Sequence, residues 1–103
     1  MRIEIFVVTT ELNAKHDING KTMLNEVIRT ELIREFGGLT ETGTESGYWH
    51  NNSQICVDSV KRWIIYTESK DCFEIIEAFA KRIKKITAQA SQAFGIDGKL
   101  FFV

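Results

Sequence analysis

The chain has no proline, only two cysteines, almost no net charge and no apolar run long enough to cross a bilayer. Without proline, low-complexity tracts or internal repeats, nothing marks a domain boundary. Its 103 residues suffice for one core and are too few for two. The N-terminal apolar stretch Ile3–Val8 is short, is interrupted by Glu4 and lacks a small-residue cleavage site. It therefore does not read as an export signal, and a membrane span would need about 18 apolar residues. Cys56 and Cys72 lie outside any C-x-x-C spacing. In a cytoplasmic protein, the location expected here, both should be reduced and act as small buried hydrophobes. Asn51-Asn52-Ser53 matches the glycosylation pattern, which has no consequence without secretion. A net charge of −1 gives no bulk attraction to nucleic acid or an anionic membrane, so such a partner would need a local patch. His16-Asp17 and His50 are too scattered for a metal site, and no H-x-x-H, C-x-x-C or H-E-x-x-H spacing occurs. No phosphate-binding glycine loop is visible either. No metal or cofactor is expected.

What is present is an ordinary globular composition, 44% hydrophobic and 26% charged. Ile3–Val8 reads as a strand, and residues 11–21 as a polar loop. A helix follows from about Thr22, with Leu24, Val27, Ile28, Leu32 and Phe36 in one apolar stripe, stopped by Gly37-Gly38. Leu39–His50 and Gln54–Tyr66 read as antiparallel strands around an Asn51-Asn52 turn, with a bulge at Asp58-Ser59. Ser69 caps a second helix whose apolar face runs from Phe73 through Ile76, Ala80, Ile83, Thr87 and Ala90 to Phe94, ending at Gly95. Lys99–Val103 is the closing strand. This β-α-β-β-α-β order predicts a ferredoxin-like α+β sandwich with sheet order 4-1-3-2.

Several strands are apolar on both faces. Ile3, Ile5 and Val7 oppose Phe6 and Val8; Val60 and Ile64 oppose Trp63 and Ile65; Leu100 and Phe102 oppose Phe101 and Val103. A two-layer sandwich wets one sheet face and should alternate cleanly. Leaving such side chains exposed forgoes about 1.5–3 kcal/mol each. The second face is therefore expected to be covered, by a second copy of the chain in a homodimer or by residues 11–21 and 39–47.

Phe36-Gly37-Gly38-Leu39-Thr40, then Gly47-Tyr48-Trp49, then Asp58 resembles a bacterial domain-of-unknown-function family with a glycine-leucine-threonine step, a glycine-x-tryptophan step and a following acidic residue. The chain departs from it with Asp58 in place of glutamate and Asn51-Asn52 in place of an aspartate-glycine turn. The resemblance implies the ferredoxin-like fold and carries no activity. More loosely, the two-faced sheet is similar to dimeric α+β barrel proteins, which include cofactor-free monooxygenases, small-ligand regulators and isomerases.

Three candidate sites follow. A small, largely apolar ligand is expected in a cavity lined by Phe6, Tyr48, Trp49 and Trp63. With the turn at Asn51-Asn52, Glu45 falls opposite Asp58. Two facing carboxylates, with His50 on the same hairpin, offer a general base for a cofactor-independent enzyme. Lys81, Arg82, Lys84 and Lys85 form a basic helix face that could meet nucleic acid. The glycine-aromatic signature of RNA-recognition modules is absent, however, and such a face is ordinarily solvated, so nucleic acid is not the favoured partner. Cys72 as a nucleophile is opposed by the adjoining Asp71.

Overall fold

The computed structural model describes residues 1–8, 24–87 and 89–103. The elements run β1 (Arg2–Val8), α1 (Leu24–Phe36), β2 (Thr40–Glu41), β3 (Glu45–Asn51), β4 (Gln54–Tyr66), α2 (Cys72–Thr87), β5 (Ala93–Ile96) and β6 (Lys99–Phe102). The expected loop over 11–21, with His16-Asp17, and the helix start near Thr22 lie outside the described residues.

Among the described residues, six strands form one antiparallel sheet, ordered β2-β4-β1-β5-β6 with β3 also on β4. An α+β architecture is therefore present, with two helices among the described residues, but the sheet carries more than four strands. The second helix ends at Thr87, not at Gly95. Phe94 and Gly95 belong to β5, which lies beside β1, and the closing strand pairs with β5 at the sheet edge. The cause is local. Asp97 (φ 50°) and Gly98 (φ 83°) form a two-residue turn with both residues at positive φ, the geometry that suits a tight hairpin. Asp97 then pins that turn to β1: its carboxylate accepts from the Arg2 N–H at 2.7 Å and its N–H donates to the Arg2 carbonyl at 2.8 Å.

β2 and β3 are two halves of one strand. Glu41 faces Trp63 and Glu45 faces Val60, so residues 42–44 oppose only 61–62. The extra residue makes a bulge; there the Thr42 hydroxyl accepts from the Arg62 N–H at 2.9 Å. At Asp58-Ser59, where a bulge was expected, pairing is regular.

The helices cover one sheet face. Ile3, Ile5 and Val7 of β1, Trp63 and Ile65 of β4, and Phe94 of β5 pack there against Ile28 and Leu32 of α1 and Cys72, Ile76, Ala80 and Ile83 of α2. Gly37, at φ 88°, closes α1 in the left-handed conformation glycine tolerates. Phe73, Phe94 and Phe101 form an aromatic cluster with centroids 5.0–5.8 Å apart.

The buried Trp63 indole N–H donates to Glu41 at 2.9 Å, meeting the requirement that a buried donor find a partner. Arg29 of α1 reaches the same carboxylate at 3.1 Å and Lys61 at 3.7 Å. Glu41 thus ties α1, β2 and β4 together. The indole bond first, then Lys61 and Arg29, hold its carboxyl below the usual carboxylate range against the opposing effect of burial. A depressed folded-state pKa adds stability that is complete above the unfolded value, near 4.3, and is lost as pH falls through the folded value. Urea midpoints should therefore fall more steeply below about pH 4.5 in the wild type than in Glu41→Gln. Parallel curves would remove Glu41 from acid unfolding.

Candidate functional site

The even-numbered residues of β1 and β4 face away from the helices. Phe6 sits across from Arg62, Val8 from Val60, and Glu4 from Ile64. β3 adds Trp49 and Gly47 on this face, opposite Cys56 and Asp58. β5 and β6 add Ala93, Leu100 and Phe102. Trp49, Leu100 and Phe102 are 42%, 51% and 65% exposed, so among the described residues this face is uncovered. Residues 39–47, one of the two expected covering segments, run largely in the sheet plane as β2 and the start of β3; the other, 11–21, lies outside the described residues.

The open face is concave. One hollow of about 350 Å³ is walled by Phe6, Val8, Val60, Trp49, Asp58 and Phe102, with Tyr48 also on its lining, and is bounded by the turn 89–92 after α2. A second, of about 380 Å³, is walled by Glu45, Ser46, Arg62 and Leu100. The two share Phe6, Gly47, Val60 and Ala93, so they form one trough across the strands. Gly47 leaves that floor open, because a Cβ there would lie 2.9 Å from Val60 Cγ2.

Gln92 is buried at the trough wall. Its amide nitrogen donates to the carbonyls of Phe6 and Ala93, so a side chain from the post-helix turn clamps β1 to β5. Sequence reading missed Gln92 because it carried the helix through 90–94, and Leu100 and Phe102 because alternation along the closing strand did not say which of its faces meets the helices. For Gln92, Asp97-Gly98 was the available signal.

The sequence-derived sites are redistributed. Phe6, Tyr48 and Trp49 line the trough, but Trp63 does not: it is paired with Ile5 on the helix-covered face and is 1% exposed. The hairpin turn is Asn52-Ser53, at φ 47° and 63°, rather than Asn51-Asn52. His50 therefore faces Ile55, Gly47 faces Asp58, and Glu45 faces Val60. The expected carboxylate pair of Glu45 and Asp58 is not formed. This register avoids like charges across the ladder and sets Tyr48 against Val57 and Trp49 against Cys56. His50 alternates onto the opposite face of the hairpin from Asp58. Of the three proposed proton acceptors, Asp58 lines the first hollow and Glu45 the second.

Glu45 is engaged by the Arg62 guanidinium, with Nε donating at 2.9 Å, and Glu4 meets Arg62 at 3.5 Å and Arg2 at 2.7 Å. Glu45 first, then Glu4, hold Arg62 protonated even more firmly than usual. On α2, Lys81 pairs with Glu77 and Arg82 with Glu31 of α1, which neutralises part of the basic face. Cys72 is buried and Cys56 half-buried, both as free thiols. No helix among the described residues is long and apolar enough to cross a membrane.

No family model matches the chain, and no curated protein matches it. Among solved structures it is similar to a phage SAM lyase in its apo state, with a TM-score of 0.61 and 19% identity over 99% of this chain and 86% of that one. It is also similar to a phage SAM lyase in complex with S-methyl-5′-thioadenosine, with a TM-score of 0.60 and 16% identity over 99% of this chain and 87% of that one. At these identities the likeness is one of fold.

Proposed function

We propose that the trough on the open sheet face binds a small adenine nucleoside carrying sulfur at its 5′ carbon. The observation that carries this reading is the trough itself: an apolar, aromatic hollow of about 350 Å³ with one carboxylate, Asp58, at its wall. That volume lies at the small end of ligand pockets. Phe6, Trp49 and Phe102 offer ring faces for a purine, and base–aromatic stacking contributes about 1–3 kcal/mol per base. Asp58 is an acceptor for ribose hydroxyls or an exocyclic amine. A structural neighbour whose fold spans nearly all of this chain is a complex with such a nucleoside.

The test is a calorimetric titration with S-methyl-5′-thioadenosine. Saturable binding is expected, and Trp49→Ala should weaken it by about 5- to 100-fold, the loss of one stacking partner. Gly47→Val, which fills the floor, should abolish it. Absence of saturable binding, or binding indifferent to both substitutions, removes the reading.

A catalytic form of the same reading rests on Asp58 as the proton acceptor, because that carboxylate lines the hollow. Incubation with SAM and chromatography of the products separates the two: turnover lost in Asp58→Asn marks an enzyme, and binding without product marks a sensor. The reading includes a homodimer, with the second copy laid over Trp49, Leu100 and Phe102 so that the ferredoxin-like sheet is covered on both sides. A strictly monomeric mass in light scattering at micromolar concentration would remove that part.

A further inference from the structure

The second hollow of the trough is chemically unlike the first. Arg62 and Glu45 line it, and Arg62 stands between two carboxylates: Glu45 takes its Nε at 2.9 Å and Glu4, beyond the hollow's lining, its Nη1 at 3.5 Å, with Arg2 closing the row at 2.7 Å from Glu4. Two cations and two anions alternate across β1, β4 and β3 and sum to zero. We propose, resting on the nucleoside reading above, that this row receives the zwitterionic α-amino-acid end of a longer nucleoside thioether or sulfonium ligand.

Three observations support it. The first is continuity, because the aromatic hollow and the charged one share Phe6 and Val60 as walls. The four-residue step from Asp58 to Arg62 along β4 is about 13 Å at strand rise, so a ligand touching both ends is elongated. The second is valence. A guanidinium has five N–H donors; among the described residues Arg62 meets the two carboxylates through Nε and Nη1, and its Nη2 is the donor offered to a ligand carboxylate. Among the described residues Glu45 meets Arg62 through Oε1, and its Oε2 is the acceptor offered to an ammonium. The third is the balance of signs. A phosphate placed here would meet Glu4 and Glu45 with no surplus of positive charge, and an alkyl tail would desolvate charged groups without replacing their partners. A zwitterion adds one charge of each sign to a row that already alternates.

The experiment is a paired calorimetric titration with S-methyl-5′-thioadenosine, which ends at the thioether, and S-adenosylhomocysteine, which continues into an α-amino acid. In the wild type S-adenosylhomocysteine should bind about tenfold more tightly, the worth of one charge-assisted contact. The ratio should fall toward one in Glu45→Gln and in Arg62→Met, each first checked for a native circular dichroism spectrum. Two variants are used so that misfolding of one leaves the other informative. Equal wild-type affinities, a ratio that persists in both variants, or tighter binding of adenosine 5′-monophosphate would each overturn the proposal while leaving the nucleoside reading intact. Binding of none of the three probes would overturn the nucleoside reading, and this subsite with it.

Discussion

Replacing Trp63 by alanine should cost about 3–5 kcal/mol of folding stability, a large part of the roughly 5–15 kcal/mol that holds a domain together. The indole is 1% exposed and sits among Ile5, Ile65 and the two helices, so its removal leaves a cavity that the neighbouring β-branched side chains fill poorly. A second contribution is polar and separable. Trp63→Phe keeps most of the ring and loses only the donor to Glu41; because Glu41 retains Arg29 and Lys61, that change should cost about 1 kcal/mol. Glu41→Ala does the converse, leaving a buried indole N–H without its acceptor, at about 1–3 kcal/mol. In the double variant that penalty vanishes, so the two substitutions should couple by at least about 0.5 kcal/mol. Urea unfolding with unchanged slopes is the measurement. A loss below about 1 kcal/mol for Trp63→Ala would place the ring on the open face after all.

Phe94→Ala carries the second large expected effect, again about 3–5 kcal/mol. Phe94 is fully buried, stacked on Phe101 at 5.4 Å and tilted against Phe73 at 5.8 Å. The substitution also tests the architecture. Phe101 meets Phe94 directly across the β5–β6 ladder, so the Phe94–Phe101 double-mutant cycle should yield about 0.5–1.5 kcal/mol of coupling. Additivity of the two losses would argue for Phe94 on a continuing helix, away from the last strand.

That residue also shows where sequence reasoning succeeds and where it stops. Ile76, Ala80, Ile83 and Thr87 are spaced for one helix face, and all are buried; Ile28 and Leu32 do the same for α1. The alternation that sets Val60 and Ile64 against Trp63 and Ile65 was likewise readable. Ala90 and Phe94, however, fit both a 3.6-residue stripe and a strand, and an apolar residue at a shared position cannot arbitrate. Asp97-Gly98 could have, since a two-residue turn with positive φ requires a strand on each side. The β3–β4 register was undetermined for a different reason. Asn51 and Asn52 tolerate a left-handed backbone equally, and the choice is made by cross-strand partners and by Arg62 reaching Glu45. Which apolar face of β4 meets the helices was also open, because periodicity describes a strand and not its neighbours. Trp63 was consequently assigned to the cavity, and Leu100 and Phe102, which flank it, were not.

The placement of β1 in the middle of the sheet has a kinetic side. Ile3 finds its two neighbours at Ile65 and Ile96, so the central strand closes against partners from the middle and the far end of the chain. The β3–β4 hairpin can form from adjacent residues, and α2 from its own turns, but neither completes the sheet. Loop-closure entropy is spent before these distant pairings return any of it, which slows folding relative to a helical protein of this size. Until Ala93–Ile96 docks, β1 presents an apolar ribbon with an unpaired edge. During synthesis, protection of that edge waits until Ala93–Ile96 has been made.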